Sequence, residues 1–196
     1  MNRLLSSCLA LAALSSLAAP ALAQQKLDAA RSEIVFVSKQ MGVPVEGRFK
    51  KFDANVAFDP AKPQAAQIAF KIDTASASFG SPDTDAEVPK AAWFNAAKFP
   101  QATFQSSAVK ALGGGKFEAA GKLTIKGATQ DVTVPFTLAQ SGALSTATGA
   151  FALKRLTFKI GEGEWADTSM VADEVQVRFK LVLTEAAAKR YPPPPP

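Results

Sequence analysis

Hydrophobic and polar residues alternate with a period of two along most of this chain. The alternation is clearest on both sides of the Gly/Thr-rich connection 126–129, where apolar residues occupy every second position of 117–125 and 132–138. Two alternating segments joined by a short connection are typical of an antiparallel hairpin with one apolar face. Residues 175–183 alternate in the same way, so the pattern predicts one antiparallel sheet.

Breaks rich in Gly, Pro and Asp divide the alternating segments. Seven or eight strands are predicted over the whole chain, including a weak strand at 144–152 and a further one at 155–160, before a loop at 161–165. Many short strands without a long amphipathic helix indicate a sandwich or an up-and-down barrel. The predicted fold class is therefore all-β.

One interruption of the strand pattern begins with a helix signal. Ser81-Pro82-Asp83 supplies an N-cap, a first-turn proline and an acidic residue. Pro89 limits the helix, so a short helical insertion is predicted between Asp83 and Asn95, with Trp93 and Phe94 turned inward.

The two ends of the chain differ from its middle. Residues 1–23 combine Arg3, an apolar stretch and Ala21-Leu22-Ala23, the features of a secretory signal peptide. Residues 185–196 end in five prolines and are predicted to be a disordered or polyproline II tail. We expect a soluble, exported barrel domain at 24–184.

Charge and composition exclude several functions. Removing Arg3 with the signal leaves 21 basic residues (22 minus one) against 17 acidic ones, a net charge near +4 without clusters that interleave with aromatics. Nucleic acid is therefore not an expected partner.

The sequence offers few candidate catalytic residues. The chain has no histidine, and Cys8 lies within the signal, which excludes a Ser-His-Asp triad, thiolate nucleophiles and His- or Cys-ligated metals. Glu162, Glu164 and Asp167 share one segment, for which a solvated loop is the preferred interpretation. We predict that the protein is not an enzyme and has neither a catalytic residue nor a metal site.

Phenylalanine is the chain's most distinctive side chain. All 14 phenylalanines follow the signal, against one tyrosine and two tryptophans. These rings either pack as ordinary core or line a dry cavity, since eight-stranded barrels can hold one small apolar ligand. Composition leaves both interpretations open.

Short motifs occur in a fixed order from about Lys26 to Thr184. They are Ser32-x-Ile34-x-Phe36, Met41-Gly42, Val45-x-Gly47-Arg48-Phe49, Phe52, Asp73, Asp85, Phe94, Phe99-Pro100, Phe104, Gly121-x-Leu123-Thr124-Ile125-x-Gly127-x-Thr129 and Arg155-x-x-Phe158. In this order, behind a signal peptide, they resemble the YceI-like family of exported proteins, also called polyisoprenoid-binding proteins.

The resemblance implies both a fold and a function. The fold is a lipocalin-like, extended antiparallel β-barrel. The function is to hold a long isoprenoid, a polyprenyl quinone or polyprenyl phosphate, as carrier or reservoir in the periplasm, with no cofactor besides that lipid. The segment 161–167 is similar to a branch associated with b-type cytochromes of the inner membrane, which implies a transient contact. A scavenger of fatty acids or amphiphilic toxins is the alternative function.

Candidate ligand-binding residues follow from the resemblance and from strand parity. Parity places Ile34, Phe36, Ser38 and Gln40 on one face of the first strand, and the family usually has histidine at the position of Gln40. Glutamine still offers a donor and an acceptor to a quinone carbonyl. The other wall candidates, each as consistent with ordinary core, are Phe49, Phe104, Leu123, Phe136, Phe158 and Phe179.

Arg155 is the one cation flanked by predicted wall positions. It is a candidate head-group ligand. For a buried arginine, however, pairing with an acid such as Asp85 is the expected arrangement.

Overall fold

The computed structural model of the protein describes residues 24–185, which form one antiparallel sheet of eleven strands. The strands are β1 Gln24–Leu27, β2 Glu33–Gln40, β3 Val43–Phe49, β4 Phe52–Ala57, β5 Gln67–Asp73, β6 Ala77–Ser78, β7 Gln101–Gly113, β8 Lys116–Ile125, β9 Ala128–Ser141, β10 Leu144–Lys154 and β11 Glu174–Glu185. The helical elements are α1 Pro82–Glu87 and the 3₁₀ turns Ala29–Arg31, Pro63–Ala65, Thr74–Ser76, Arg155–Phe158 and Gly163–Ala166. The predicted signal peptide 1–23 and the tail beyond Glu185 lie outside the described residues.

The eleven strands occupy eight strand positions around a closed barrel, and we call each position a stave. Strand β11 pairs with β1 through Leu27 and Leu183, and with β2 through Ile34 and Phe179, so β1 and β2 are two parts of one stave. Strands β3 and β4 are likewise two parts of one stave, and so are β5 and β6. Each stave neighbours the next along the chain, and β11 closes the ring against the first. The predicted lipocalin-like barrel of eight antiparallel strands is confirmed.

The three interrupted staves bend without losing their hydrogen bonds. At the first break the hydroxyl of Ser32 accepts from the backbone N–H of Val182 at 2.8 Å, in place of a ladder carbonyl. At the second, the backbone carbonyl and the hydroxyl of Ser76 accept from the N–H groups of Lys50 and Lys51 at 3.1 and 3.0 Å. The two serines thus satisfy backbone donors that a kink would otherwise leave unpaired.

The hairpin of β8 and β9 forms as the alternation predicts. Ile125 pairs with Ala128 across the two-residue turn Lys126-Gly127, whose φ angles are 48° and 76°. Positive φ at both positions defines a type I′ turn, which matches the right-handed twist of the strands. The buried inner face of β8 carries Phe117, Ala119, Gly121, Leu123 and Ile125.

The interior of the barrel contains two apolar clusters. We call the half that contains β1 and the β7–β8 turn the upper half. Phe58, Phe117 and Phe136 pack there with centroids 5.1 to 5.9 Å apart. The lower half contains α1 and the β8–β9 turn, and its cluster includes Phe36, Val88, Phe94, Leu123, Ile125 and Phe158.

Two segments cover the lower half, where the sheet is incomplete. Pairing between β9 and β10 stops at Phe136–Gly149, and the 3₁₀ turn Arg155–Phe158 packs on β9 beside that gap. Residues 79–100, which include α1, connect β6 to β7 and form the predicted helical insertion; within it Phe94 is buried and Trp93 half-buried. We name these segments the insertion (79–100) and the end loop (155–173).

The strand predicted at 155–160 is wrong. Residues 155–158 form a 3₁₀ turn, and Lys159 ends it in the left-handed conformation with φ 57°. The alternation in this segment buries Arg155 and Phe158 on one side of a turn rather than on one face of a strand.

Candidate functional site

An apolar cavity of about 380 Å³ occupies the lower half of the barrel. Binding sites for small ligands have volumes of roughly 300–1,000 Å³. Its polar lining is limited to Ser38, Gln40, Asp83, Thr84, Glu87 and Arg155. The apolar lining comprises Ile34, Phe36, Phe49, Ile72, Phe79, Val88, Trp93, Phe94, Ala102, Leu123, Ile125, Phe151, Leu153, Ile160, Trp165, Val171, Val175 and Val177.

Phe36 forms part of the aromatic wall of this cavity. It pairs across the sheet with Gly47, and a Cβ at position 47 would lie 2.4 Å from the ring. The missing side chain therefore lets the ring lie flat over β3. Phe49 and Phe79 pack against the ring with centroids at 5.0 and 5.2 Å.

A second, smaller pocket of about 60 Å³ lies in the upper half. Its lining includes Phe70, Phe104, Phe136, Phe179 and Leu181. The two pockets share no lining residue, although β5, β7, β8, β10 and β11 contribute to both.

The structure divides the predicted ligand-binding residues into three groups. Six line the large cavity: Ile34, Phe36, Gln40, Phe49, Leu123 and Arg155. Phe104, Phe136 and Phe179 line the smaller pocket. Phe158 lies outside both linings and is 1% exposed within the lower core cluster.

Arg155 does not pair with Asp85 as predicted. Its guanidinium donates all five N–H groups to backbone carbonyls of the end loop: Nε to Ala172 at 3.1 Å, Nη1 to Ile160 and Gly161 at 2.8 and 3.1 Å, and Nη2 to Trp165 and Val171, both at 2.7 Å. The side chain is 2% exposed, and burial lowers its pKa while the Asp173 carboxylate opposes that shift.

Carbonyl oxygens thus replace the expected carboxylate as partners of Arg155. A planar guanidinium with five fixed donors suits several carbonyls arranged around it. A head-group contact by Arg155 would have to displace one of these carbonyls.

Asp85 holds the start of the insertion instead. Its carboxylate accepts from the Ser78 hydroxyl and the Phe79 N–H, both at 2.6 Å, and Lys50 lies 4.0 Å away. These contacts, the Ser78 hydrogen bond above all, lower the pKa of Asp85.

Lys126 joins the two segments that cover the cavity. Its ammonium donates to the Ala91 and Lys159 carbonyls at 2.7 and 2.8 Å and pairs with Glu162 at 2.8 Å. The lysine side chain is 5% exposed although it belongs to a turn. Sequence reasoning missed this residue, because a Lys-Gly pair between two strands indicates a turn and carries no sign of long-range partners.

Backbone and aromatic contacts reinforce this junction. The N–H groups of Gly161 and Glu162 both donate to the Ala92 carbonyl at 2.9 Å. The rings of Trp93 and Trp165 pack with centroids 5.4 Å apart. Insertion and end loop therefore form a continuous cover beneath the barrel.

We expect the junction to loosen in acid. The Lys126 ammonium lowers the pKa of Glu162, so this pair stabilises the fold fully above the ordinary glutamate pKa. The contribution is lost as the pH falls through the lowered pKa of the folded state. Thermal melts between about pH 6 and 3 should show a shallower fall in stability for Glu162→Gln than for the parent protein. Glu46→Gln, in the exposed pair with Arg178, is the control, and an unchanged slope for Glu162→Gln would contradict the assignment.

The rim of the cavity combines polar and apolar groups. Gln40 lines the cavity on one side, and its backbone bridges to Val171 of the end loop. Asp83 and Thr84 of α1 lie on the lining as well. Met41 and Met170, next to Gln40 and Val171 in sequence, and Val43, which pairs with Gln40, are 78%, 46% and 63% exposed, respectively.

Within residues 24–185, no group of three or more Asp, Glu, Cys or His side chains is arranged to hold a metal ion. The helices found in this part of the chain are all too short or too polar for a membrane crossing.

An eight-stranded antiparallel barrel with an apolar internal cavity places this molecule in the lipocalin-like class. Comparison with known families is more specific, since the YceI-like domain matches residues 25–183. The chain belongs to the YceI-like family.

Related sequences carry the description UPF0312 protein. The one from Shewanella baltica is 33% identical over 136 residues, which cover 68% of this chain and 71% of that protein. The one from Azotobacter vinelandii is 36% identical over 88 residues, 45% of this chain and 46% of the relative. The match thus spans about half the length of several of these relatives.

Solved structures share the fold. BcnA of Burkholderia cenocepacia is 51% identical with a TM-score of 0.78, over 80% of this chain and 98% of BcnA. A polyisoprenoid binding domain from Saccharophagus degradans, implicated in plant cell wall breakdown, has a TM-score of 0.68 at 16% identity, over 84% of this chain and 99% of that domain. At that identity the second likeness shows the fold alone.

Proposed function

We propose that the protein binds an isoprenoid lipid, a polyprenyl quinone or polyprenyl phosphate, and serves as its carrier or reservoir. The observation that supports this most is the apolar cavity of about 380 Å³, whose polar groups are few and include several at the rim. Family membership supports it further, and the Saccharophagus relative is described as polyisoprenoid-binding.

The distribution of polar side chains suggests how the lipid is oriented. The polar groups Gln40 and Thr84 suit a head group, while Phe49, Ile72 and Leu123, towards the middle of the barrel, suit the tail. The Gln40 amide can donate to a quinone carbonyl. The proposed activity is binding, with no catalytic step.

The decisive experiment identifies the bound molecule. We expect solvent extraction of protein purified from its native host, followed by mass spectrometry, to yield an isoprenoid in roughly stoichiometric amount. A fatty acid or an amphiphilic toxin in its place would favour the scavenger function. If repeated preparations contained no lipophile, both the carrier function and the scavenger function would be contradicted.

We further propose a periplasmic location, as the signal-like residues 1–23 suggest. Intact-mass analysis of exported protein should give a chain that begins at Gln24. Retention of residues 1–23, or a lipid attached to Cys8, would contradict this proposal. Contact with an inner-membrane b-type cytochrome stays a prediction, and chemical crosslinking in membranes would test it.

A further inference from the structure

We propose that an exposed apolar surface beside the mouth of the cavity docks on a lipid bilayer. We call this surface the tip; it consists of Met41 and Val43 at the β2–β3 turn and Met170 of the end loop. The lipid passes between the bilayer and the cavity while the tip is docked. This inference rests on the proposed function and adds the partner, a phospholipid surface without net charge.

Most of the large exposed apolar side chains lie at the tip. Within residues 24–185 four such side chains are exposed: Met41, Val43, Leu112 and Met170. Three of them lie together, because the N–H of Met41 donates to the Met170 carbonyl at 2.8 Å and Val43 closes the same two-residue turn. Leu112 lies at the opposite end of the barrel, beside the β7–β8 turn. Single exposed apolar residues are ordinary, whereas a cluster of them marks an interaction surface.

The backbone of the β2–β3 turn gives no reason for a methionine at position 41. Met41 and Gly42 have φ angles of 47° and 81°, a type I′ turn, for which Asn-Gly is the preferred pair. Lys126 has the corresponding position in the β8–β9 turn, but its ammonium holds the cover of the cavity. Met41 is 78% exposed instead. A residue that is unfavourable in its turn and mostly exposed points to a partner outside the molecule.

The tip adjoins the opening of the cavity. Gln40 and Val171 line the cavity, and they are the sequence neighbours of Met41 and Met170. Their backbones form a bridge between β2 and the end loop. Val43 pairs with Gln40 across the turn, and paired residues of neighbouring strands project from the same face of the sheet. The tip therefore continues the wall of the cavity outwards.

The charges around the opening indicate which bilayer suits the tip. Asp83 and Glu87 of α1 are exposed and yet line the cavity, so the opening lies between α1 and Gln40. Arg155, the one basic residue of the lining, donates its N–H groups to carbonyls of the end loop. The mouth is thus acidic and repels anionic lipids. The tip fits a zwitterionic surface, on which burial of apolar side chains supplies the attraction.

The small size of the tip favours a bilayer over a second protein. A stable protein interface takes roughly 20–30 residues from each side, whereas the tip offers three large apolar side chains on a turn and a neighbouring loop. Apolar side chains enter the boundary between lipid head groups and acyl chains without a complementary pocket. A few of them give reversible binding, which a carrier needs in order to leave the membrane again.

Flotation with phosphatidylcholine vesicles tests the docking. We expect the parent protein to float with the vesicles, and Met41→Asn/Met170→Ser to partition at least about tenfold less, because buried methionines supply the attraction. Leu112→Ser is the matched control, since it removes an exposed apolar side chain at the other end of the barrel. Its partitioning should stay within about twofold of the parent's. Anionic phosphatidylglycerol in the vesicles should not increase the bound fraction of the parent.

Folding and lipid binding are measured separately from docking. Met41→Asn creates the preferred Asn-Gly turn, so thermal melts should give this single variant a Tm no lower than the parent's. Both tryptophans of the chain, Trp93 and Trp165, line the cavity, so their fluorescence reports binding of farnesol, a prenyl alcohol of three isoprene units. Without vesicles, Met41→Asn/Met170→Ser should bind farnesol as tightly as the parent does.

Three other results would each contradict a different statement. A parent protein that binds farnesol but does not float would overturn the docking and leave the proposed function in place. Flotation without farnesol binding would contradict the proposed function while the docking stands. A parent dimer in size-exclusion chromatography that Met41→Asn/Met170→Ser dissociates would assign the tip to a second copy of the chain, and the docking would be wrong.

Discussion

Replacing Arg155 with methionine should remove about 3–5 kcal/mol from the free energy of unfolding. The substitution leaves five carbonyls of the end loop without their donors, and three of these hydrogen bonds are fully buried. Each unsatisfied buried group costs roughly 1–3 kcal/mol before the loop relaxes or takes up water. Since domains are stable by only about 5–15 kcal/mol, denaturant melts should show a large shift of the midpoint. The free energy of unfolding of Arg155→Lys should lie between those of the parent protein and Arg155→Met, because an ammonium has three donors instead of five.

Two further substitutions make this result specific. Arg178→Met removes another arginine, in an exposed pair with Glu46, and should cost under about 1 kcal/mol. Asp85→Asn should add to Arg155→Met within about 0.5 kcal/mol, because the two residues have different partners. A small loss for Arg155→Met, or strong coupling to Asp85, would contradict the assigned hydrogen bonds.

Replacing Phe36 with aspartate should lower affinity for an isoprenoid by about 100-fold or more. The substitution puts a carboxylate on an apolar wall that the tail would otherwise cover, and burying an unpaired polar group costs roughly 2–7 kcal/mol. It also removes the ring that packs against Phe49 and Phe79. Titration with farnesol, followed by tryptophan fluorescence, measures the loss.

Val37→Asp is the matched control for Phe36→Asp. Val37 is the next residue of β2 and points to the outer face, where it is half-buried. We expect the affinity of Val37→Asp for farnesol to stay within about threefold of the parent's, since the new carboxylate reaches water. Circular dichroism should confirm that both variants are folded. Equal affinities for the two variants would mean that the lipid does not bind against this wall.

Strand parity explains why much of the fold was predictable from sequence. Period-two alternation identifies the inner face of each strand, and it correctly placed Ile34, Phe36 and Leu123 inside the barrel. The turn at Lys126-Gly127 was predictable for a similar reason, because a glycine between two alternating segments favours a hairpin. The short strand β1 was missed, since Gln24 to Leu27 is too short for a recognisable alternation.

The arrangement of the cavity's cover could not be predicted in the same way. Lys126 and Arg155 bind backbone carbonyls, and every residue type presents the same carbonyl. No side-chain pattern therefore shows which loop a buried cation holds. The pairing of Arg155 with Asp85 failed for this reason, because the prediction considered only side chains of opposite charge.

The pairing of β11 with the first stave has a consequence for the order of folding. The last strand of the described residues completes the ring, so the barrel cannot close until residues 174–185 have been synthesised. Until then the staves formed earlier have two unpaired edges and an uncovered apolar face, which favours aggregation. The internal cavity therefore forms only after the whole domain has been synthesised, and a chain shortened before Glu174 should be insoluble rather than partly folded.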